Sequence, residues 1–308
     1  MSQKLRTSLL ILSLHLRTRR LLKIGPLFLI LIMLLSCRTT APPRTIRLPL
    51  ALTEASGLSI SDGKFTWHND SGDGPYAYTT DDNGAIIRRD TLTATARDYE
   101  DITRDNKGNL YLGDFGNNTG RRADQRIFRY HPDKPGTDSI VFTYPGQNGG
   151  GRDQPGNYDC EAMIWHNDTL HLFTKDQLFG KGAYITYHYR LPAAPGRYVA
   201  ELVDSLRLPR RVVTAAAFDA ERGELVLTAY NFKFLAGFWP SGAASLITIA
   251  GFPAGRFLRG KVRRRNLSWF WPTQFEAVDF YDERWLYVGS EGTRLRKHAV
   301  GKRKGRRR

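Results

Sequence analysis

Past residue 44 the apolar positions fall into short runs of strand formers, each closed by a cluster of turn formers, and no long amphipathic helix pattern appears. Asp98 to Asn118 shows the unit: Ile102 ahead of the turn Asn106-Lys107-Gly108-Asn109, then Leu110-Tyr111-Leu112. The same hairpin recurs. First strands open at Glu54-Ala55-Ser56, Glu100-Asp101-Ile102, Glu161-Ala162-Met163, Ala215-Ala216-Ala217 and Glu276-Ala277-Val278, with steps of 46, 61, 54 and 61 residues between openings. Second strands follow at Phe65, Leu110, Leu170, Leu225 and Leu286. The first three intervals hold two further strand-like runs each, such as Tyr76–Thr80 with Ile86–Arg89. In the third interval these are Ala183–Tyr189 and Tyr198–Leu202.

Four strands per repeat at this period predicts an all-β fold, a β-propeller of five four-stranded blades. The two 61-residue steps leave room for a sixth blade, and a β-sandwich is the alternative architecture. Thr45–Leu50 is free to close the ring as the outer strand of the last blade, whose third strand would be Leu295–Val300. The propeller then spans residues 45 to 300.

Carboxylates gather at one end of the hairpins. In an antiparallel pair the start of the first strand lies beside the end of the second. First strands of a propeller line its axis, so these ends converge around the channel mouth. Collected there would be Glu54 with Asn69 and Asp70, Glu100 with Asp98 and Asp114, and Glu161 with Asp159, Thr174 and Lys175. The last two blades add Tyr230, Asn231, Gln274, Glu276, Ser290 and Glu291. Carboxylates packed this closely raise one another's pKa; a divalent cation, backbone amides or a cationic ligand would relieve them. Oxygen-only donors suit calcium, and no His or Cys cluster points to zinc. His68, His166 and His171 lack ligand spacing. The plain structural reading is that each Glu caps backbone amides of the next blade. From this ring Asn69, Asp70, Asp114, Lys175, Tyr230 and Glu291 are the expected contacts to a small polar ligand or cation.

Other chemistry is thinly represented. Asn69–Gly74 partly resembles a calcium loop but has Thr80 where the bidentate Glu would stand. No nucleophile elbow or phosphate loop is present. Cys160 has no adjacent cation to lower its pKa and is expected to be inert. The glycine-rich loop Gly146–Asn157 suits either a flap or a plain insertion.

The chain ends change the picture of charge and compartment. Residues 1–36 carry six cations and no acid, with an apolar run from Pro26 to Leu35, the pattern of a secretory signal. The closing Leu34-Leu35-Ser36-Cys37 resembles a bacterial lipobox, which implies cleavage before Cys37 and a lipid on its thiol. An uncleaved signal anchor is the alternative. Residues 37–44 form a proline-bearing tether, and Arg38 in place of Asp favours the outer membrane, at its periplasmic face. With Cys37 lipidated, Cys160 has no disulfide partner and a monomer standing on its core is expected. The net charge of +16 falls to +4 for residues 37–301, because six cations lie in the signal and six in 302–308. No RNA- or DNA-binding module accompanies that tail, so nucleic acid is not an expected partner. Residues 301–308 are expected to be a solvated, disordered tail, or one that touches anionic lipid headgroups.

The set Glu54-Ala-Ser-Gly-Leu58, His68-Asn-Asp-Ser-Gly72, Tyr99-Glu-Asp-Ile102, Gly113-Asp-Phe-Gly-Asn117, Cys160-Glu-Ala-Met163 and Glu276-Ala-Val278 resembles a group of secreted bacterial lipoprotein propellers. These are similar to phytase-like esterase and gluconolactonase-type propellers. The resemblance implies channel carboxylates that hold a calcium-like metal, with Glu54, Glu100, Glu161 and Glu276 as its ligands. Ala215 departs from that pattern, and the paired Asp motifs and Lys/Arg cluster of a phytate site are missing. Two functions follow: a membrane-anchored binding lipoprotein with an acidic mouth, or a metal-dependent hydrolase of esters or phosphoesters.

Overall fold

A computed structural model describes residues 41–147, 158–175, 183–235, 239–269, 273–293 and 296–306. The expected signal segment, Cys37 and most of the loop 146–157 lie outside the described residues. Pro43–Arg308 forms one compact unit. Strand β1 (Thr45–Arg47) leads into five sheets. Blade I is β2 (Ala55–Ser61), β3 (Lys64–Asn69), β4 (Tyr76–Thr80) and β5 (Ile86–Thr91). Blade II is β6 (Tyr99–Arg104), β7 (Leu110–Asp114), β8 (Gln125–Tyr130) and β9 (Thr137–Thr143). Blade III is β10 (Cys160–His166), β11 (Thr169–Thr174), β12 (Ile185–Pro192) and, after β13 (Gly196–Val199), β14 (Glu201–Arg207). Blade IV is β15 (Val212–Asp219), β16 (Glu224–Leu235), β17 (Trp239–Ala250) and β18 (Lys261–Ser268). Blade V is β19 (Phe275–Phe280), β20 (Trp285–Ser290) and β21 (Val300–Gly305), with β1 as its outer strand.

The protein is therefore a five-bladed β-propeller, with no sixth blade among the described residues. Inner strands β2, β6, β10, β15 and β19 pack one against the next, and β19 against β2, to close the ring. Turn residues permit the hairpins: Asp62 and Gly63 both take positive φ between β2 and β3, as Asn167 and Asp168 do between β10 and β11.

Alternation along each strand gives every blade two apolar faces, so the core is five seams between blades. Trp67, Tyr78, Ala277 and Tyr287 fill the seam from V to I, and Tyr111, Phe142, Met163 and Tyr189 that from II to III. Trp67 is fully buried under Gly289 and Gly301, where an added Cβ would sit 2.8 and 3.2 Å from its ring.

Two strand expectations are corrected. The third strand of blade V is Val300–Gly305, so residues 301–305 are not a disordered tail. They pair with both β20 (Val288↔Lys302) and β1 (Ile46↔Gly301). Pairing on both edges holds this basic run as a strand, and Arg303 stacks over the Trp285 ring. The stretch Tyr198–Leu202 is broken at Ala200, whose N–H donates to Thr143 O at 2.8 Å. β13 pairs in parallel with β9 as a fifth strand of blade II (Tyr198↔Phe142), and β14 completes blade III.

Candidate functional site

Each inner strand carries a β-bulge at the same level. The register of its hairpin skips one residue: Gly57 in blade I, Glu100 in II, Glu161 in III, Thr214 in IV and Glu276 in V. A bulge re-aims the extra side chain, which is how three glutamates from separate blades are turned to one site. The expected alignment of Glu54 and Ala215 with them was therefore out of register. Glu54 is exposed and precedes β2, its carbonyl accepting from Asp70 N at 3.0 Å. Gly57 takes φ +62 and is crowded by His68, and a Cβ there would also lie 2.9 Å from Ile102 N. That position admits glycine alone. The blades without a bulge glutamate use hydroxyls: Ser56 donates to Glu100 O at 2.8 Å, and Thr214 to Phe275 O at 2.6 Å.

Glu100, Glu161 and Glu276 are all buried, and partners differ around the ring. Lys175 Nζ lies 2.6 Å from Glu161 Oε1. Tyr230 donates its hydroxyl to Glu276 Oε1 at 3.0 Å, and Gln274 Nε2 reaches the same oxygen at 3.3 Å. Asp70, Asp98 and Glu100 form a group of three, each offering an oxygen within 4.8 Å of the other two. Gly116 closes over this trio, since any Cβ there would collide with Glu100 Oε1 and Asp98 Oδ2. Asp70 Oδ1 is buried with no hydrogen-bond partner.

The electrostatics follow from burial and crowding. Burial, then Glu161 and Asp70, push the Glu100 carboxyl well above the ordinary range. Burial, then Glu276 and Asp98, lift Asp70 to about 7. Burial raises Glu161 too, although Lys175 pulls it back. Burial and then Glu276 raise Glu291. Lys175 loses by burial but is held well above its usual range by Glu161, Tyr230 and Asp159.

Other expected contacts are committed elsewhere. Asp114 is paired with Arg122 Nη1 at 2.8 Å, both buried, and accepts from Asp98 N at 3.1 Å. It serves as the counter-charge of Arg122 rather than as a member of the open ring. Asn69 Nδ2 donates to Ala51 O and Asp73 Oδ2, each at 2.8 Å, which pins the loop after β3. Asp98 was the member of the trio outside the expected ligand set; its position two residues before Glu100, across from Asp114, was the available signal. Below the bulges the axis is stopped by Asp101, fully buried, whose Oδ2 accepts from Met163 N at 2.8 Å and Ala216 N at 3.3 Å. One carboxylate thus ties blades II, III and IV. The amide-capping role foreseen for the glutamates belongs to this aspartate. Beyond it lies a separate cavity of about 230 Å³ that includes Arg104, Trp165 and Asp279.

Fold and mouth define the class: a five-bladed β-propeller with a buried acidic axial site. No family profile fits the chain, and no curated protein matches its sequence. Solved structures similar in fold include an α-L-arabinanase from Penicillium chrysogenum, at 12% identity over 86% of this chain and 98% of that one, with a TM-score of 0.49. A member of the DUF4221 family from Bacteroides vulgatus is similar at 9% identity over 87% and 98% of the two chains, TM-score 0.39. Virginiamycin B lyase from Staphylococcus aureus is similar at 14% identity; 82% of this chain spans 66% of that one, TM-score 0.38. At these identities the likeness concerns the path of the chain alone.

Proposed function

We propose that the mouth binds a hard divalent cation, calcium foremost, through Asp70, Asp98 and Glu100, and receives a small polar ligand beside it. The observation that carries this reading is the Asp70 Oδ1 atom, buried without a hydrogen-bond partner, on a residue that offers a carboxylate oxygen within 4.8 Å of those of Asp98 and Glu100. A cation there would satisfy that atom and offset the repulsion that raises Asp70 and Glu100. The Lys175–Glu161 and Tyr230–Glu276 pairs offer an ammonium and a phenol to the polar ligand.

Hydrolysis of an ester or phosphoester is the second reading, and Glu161 favours it. A buried carboxyl with a raised pKa and an ammonium at 2.6 Å is suited to move a proton. The protein is further proposed to be a monomer tethered by a lipid on Cys37 at the periplasmic face of the outer membrane. Loss of membrane association in Cys37→Ala cells would support the tether, and unchanged association would sink it.

Calorimetry of residues 43–308 with calcium tests the first reading, beside a Glu100→Gln, Asp98→Asn double variant. Binding that the variant loses supports the site. A folded wild-type domain that binds neither calcium nor magnesium refutes it. Turnover of ester or phosphoester substrates only with the cation present would select the hydrolase.

A further inference from the structure

The outer edges of blades IV and V hold a second charged region, opposite in sign to the mouth. Along β21, Gly301 and Arg303 face the seam with blade I: a Cβ on Gly301 would lie 3.2 Å from Trp67, and Arg303 stacks 4.3 Å over the Trp285 ring. Alternation turns Lys302 and Lys304 to the other face, toward β18 of blade IV. β18 brings its own cations by the same rule. Arg263 and Arg265 register with Thr248 and Leu246, and Leu246 packs with Leu286 and Val288 of blade V. Arg265 Nη1 donates to Gly305 O at 2.7 Å, tying the two strands across the seam. A cleft of about 300 Å³ opens between them.

Positive charge exceeds negative in this cleft. Arg263, Arg264, Arg265 and Arg306 line it with Glu224, and on β21 Lys304 stands opposite Leu286 of that lining and Lys302 opposite Val288. Arg306 Nη2 contacts Asp219 at 2.7 Å and Glu224 Oε1 at 3.3 Å, and Arg263 stands 3.9 Å from Glu224 Oε2. Arg306 thus bridges the two carboxylates, of which Glu224 lines the cleft. Burial, then Lys302 and Arg265, hold Lys304 below the usual ammonium range; burial, then Arg296, do so for Lys302. Half-buried cations that repel one another are the arrangement an oxyanion relieves.

We propose that the cleft between blades IV and V is an anion site that takes a phosphate group, with Arg265, Lys302 and Lys304 as its main contacts. A guanidinium fork and two ammonium groups match the several acceptor oxygens and the charge of a phosphate. The same chemistry is offered by free phosphate and by the headgroup of an anionic phospholipid.

The test uses residues 43–308, one compact unit. Inorganic phosphate is titrated by calorimetry, and sedimentation is measured with phosphatidylglycerol and with phosphatidylcholine vesicles. The Lys302→Gln, Lys304→Gln variant keeps most of the aliphatic stems while removing two charges. Arg121→Gln, Arg197→Gln, on exposed positions elsewhere, removes the same charge. The wild type is expected to bind phosphate or phosphatidylglycerol, the lysine variant about tenfold or more weakly, and the arginine control within about twofold of wild type. A phosphate-induced rise in Tm, absent from the lysine variant, is the second readout. Phosphate binding alone identifies a soluble ligand; vesicle binding alone identifies a headgroup. No binding of either, or equal weakening in the arginine control, overturns the proposal.

Discussion

Lys175 and Glu161 are a buried pair at 2.6 Å, so each depends on the other for solvation. Lys175→Met leaves a buried carboxylate alone and is expected to cost about 3–5 kcal/mol at neutral pH in urea unfolding, with most of that recovered by adding Glu161→Leu. At Gly116 the expected effect is on binding: Gly116→Ala drives a methyl group into the Glu100 and Asp98 oxygens, and calcium affinity should fall about tenfold or more. Asp279 supplies a pH dependence. Burial raises its carboxyl to about 7, against backbone donors Ile60 and Phe280 that pull it down. The folded state then holds this proton more tightly than the unfolded chain. Its contribution is full below pH ~4 and is lost as pH rises toward ~7. Asp279 keeps some exposure to solvent, which screens part of it, so a loss of about 2 kcal/mol over that window is expected. Asp279→Asn should flatten the slope; an unchanged slope would refute the assignment. Glu100, Glu161 and Glu276 were legible in the sequence because each opens an apolar run. Glu54 was misplaced because a bulge adds a residue without disturbing the hydrophobic pattern, and the displaced residue in blade I is a glycine. The pairing of Asp114 with Arg122 was not legible, because that arginine sits on a loop with no periodicity to place it.

At the scale of elements, hairpins and their turns were readable, since glycine and asparagine mark the bends and strand formers fill the runs between. The closing role of Thr45–Leu50 was readable for the same reason, and β1 occupies part of it. Strands that depend on distant neighbours were not. β21 is basic at three of its six positions and qualifies as a strand only because β20 and β1 flank it. β13 exists because β9 has a free edge beside it. A chain ending at Ala299 loses the strand between β20 and β1 together, exposing Trp67 and Tyr287. It is expected to be insoluble or to melt at least about 15 °C lower, as followed by circular dichroism. A melting point unchanged by that truncation would contradict the register found here.

The unit from Pro43 onward is a ring joined at a single place, blade V, where the first and last of the described strands meet. A disulfide between Thr45→Cys and Lys302→Cys, which face each other in the register, closes nearly the entire propeller into one covalent loop. It is expected to add about 2–4 kcal/mol to stability, lost on reduction. Charge is also divided at this scale, acid at the axis and base on the rim of blades IV and V, so net charge alone misdescribed both surfaces.

The clasp has a mechanical consequence. β1 holds β21 through only three register pairs, Thr45↔Lys302, Ile46↔Gly301 and Arg47↔Val300, helped by Arg303 N donating to Arg44 O at 3.0 Å. Tension applied at the N-terminus therefore runs straight into the shortest strand of the ring. The first event under load is release of that strand, after which the propeller can open between blades V and I while the other four seams still hold.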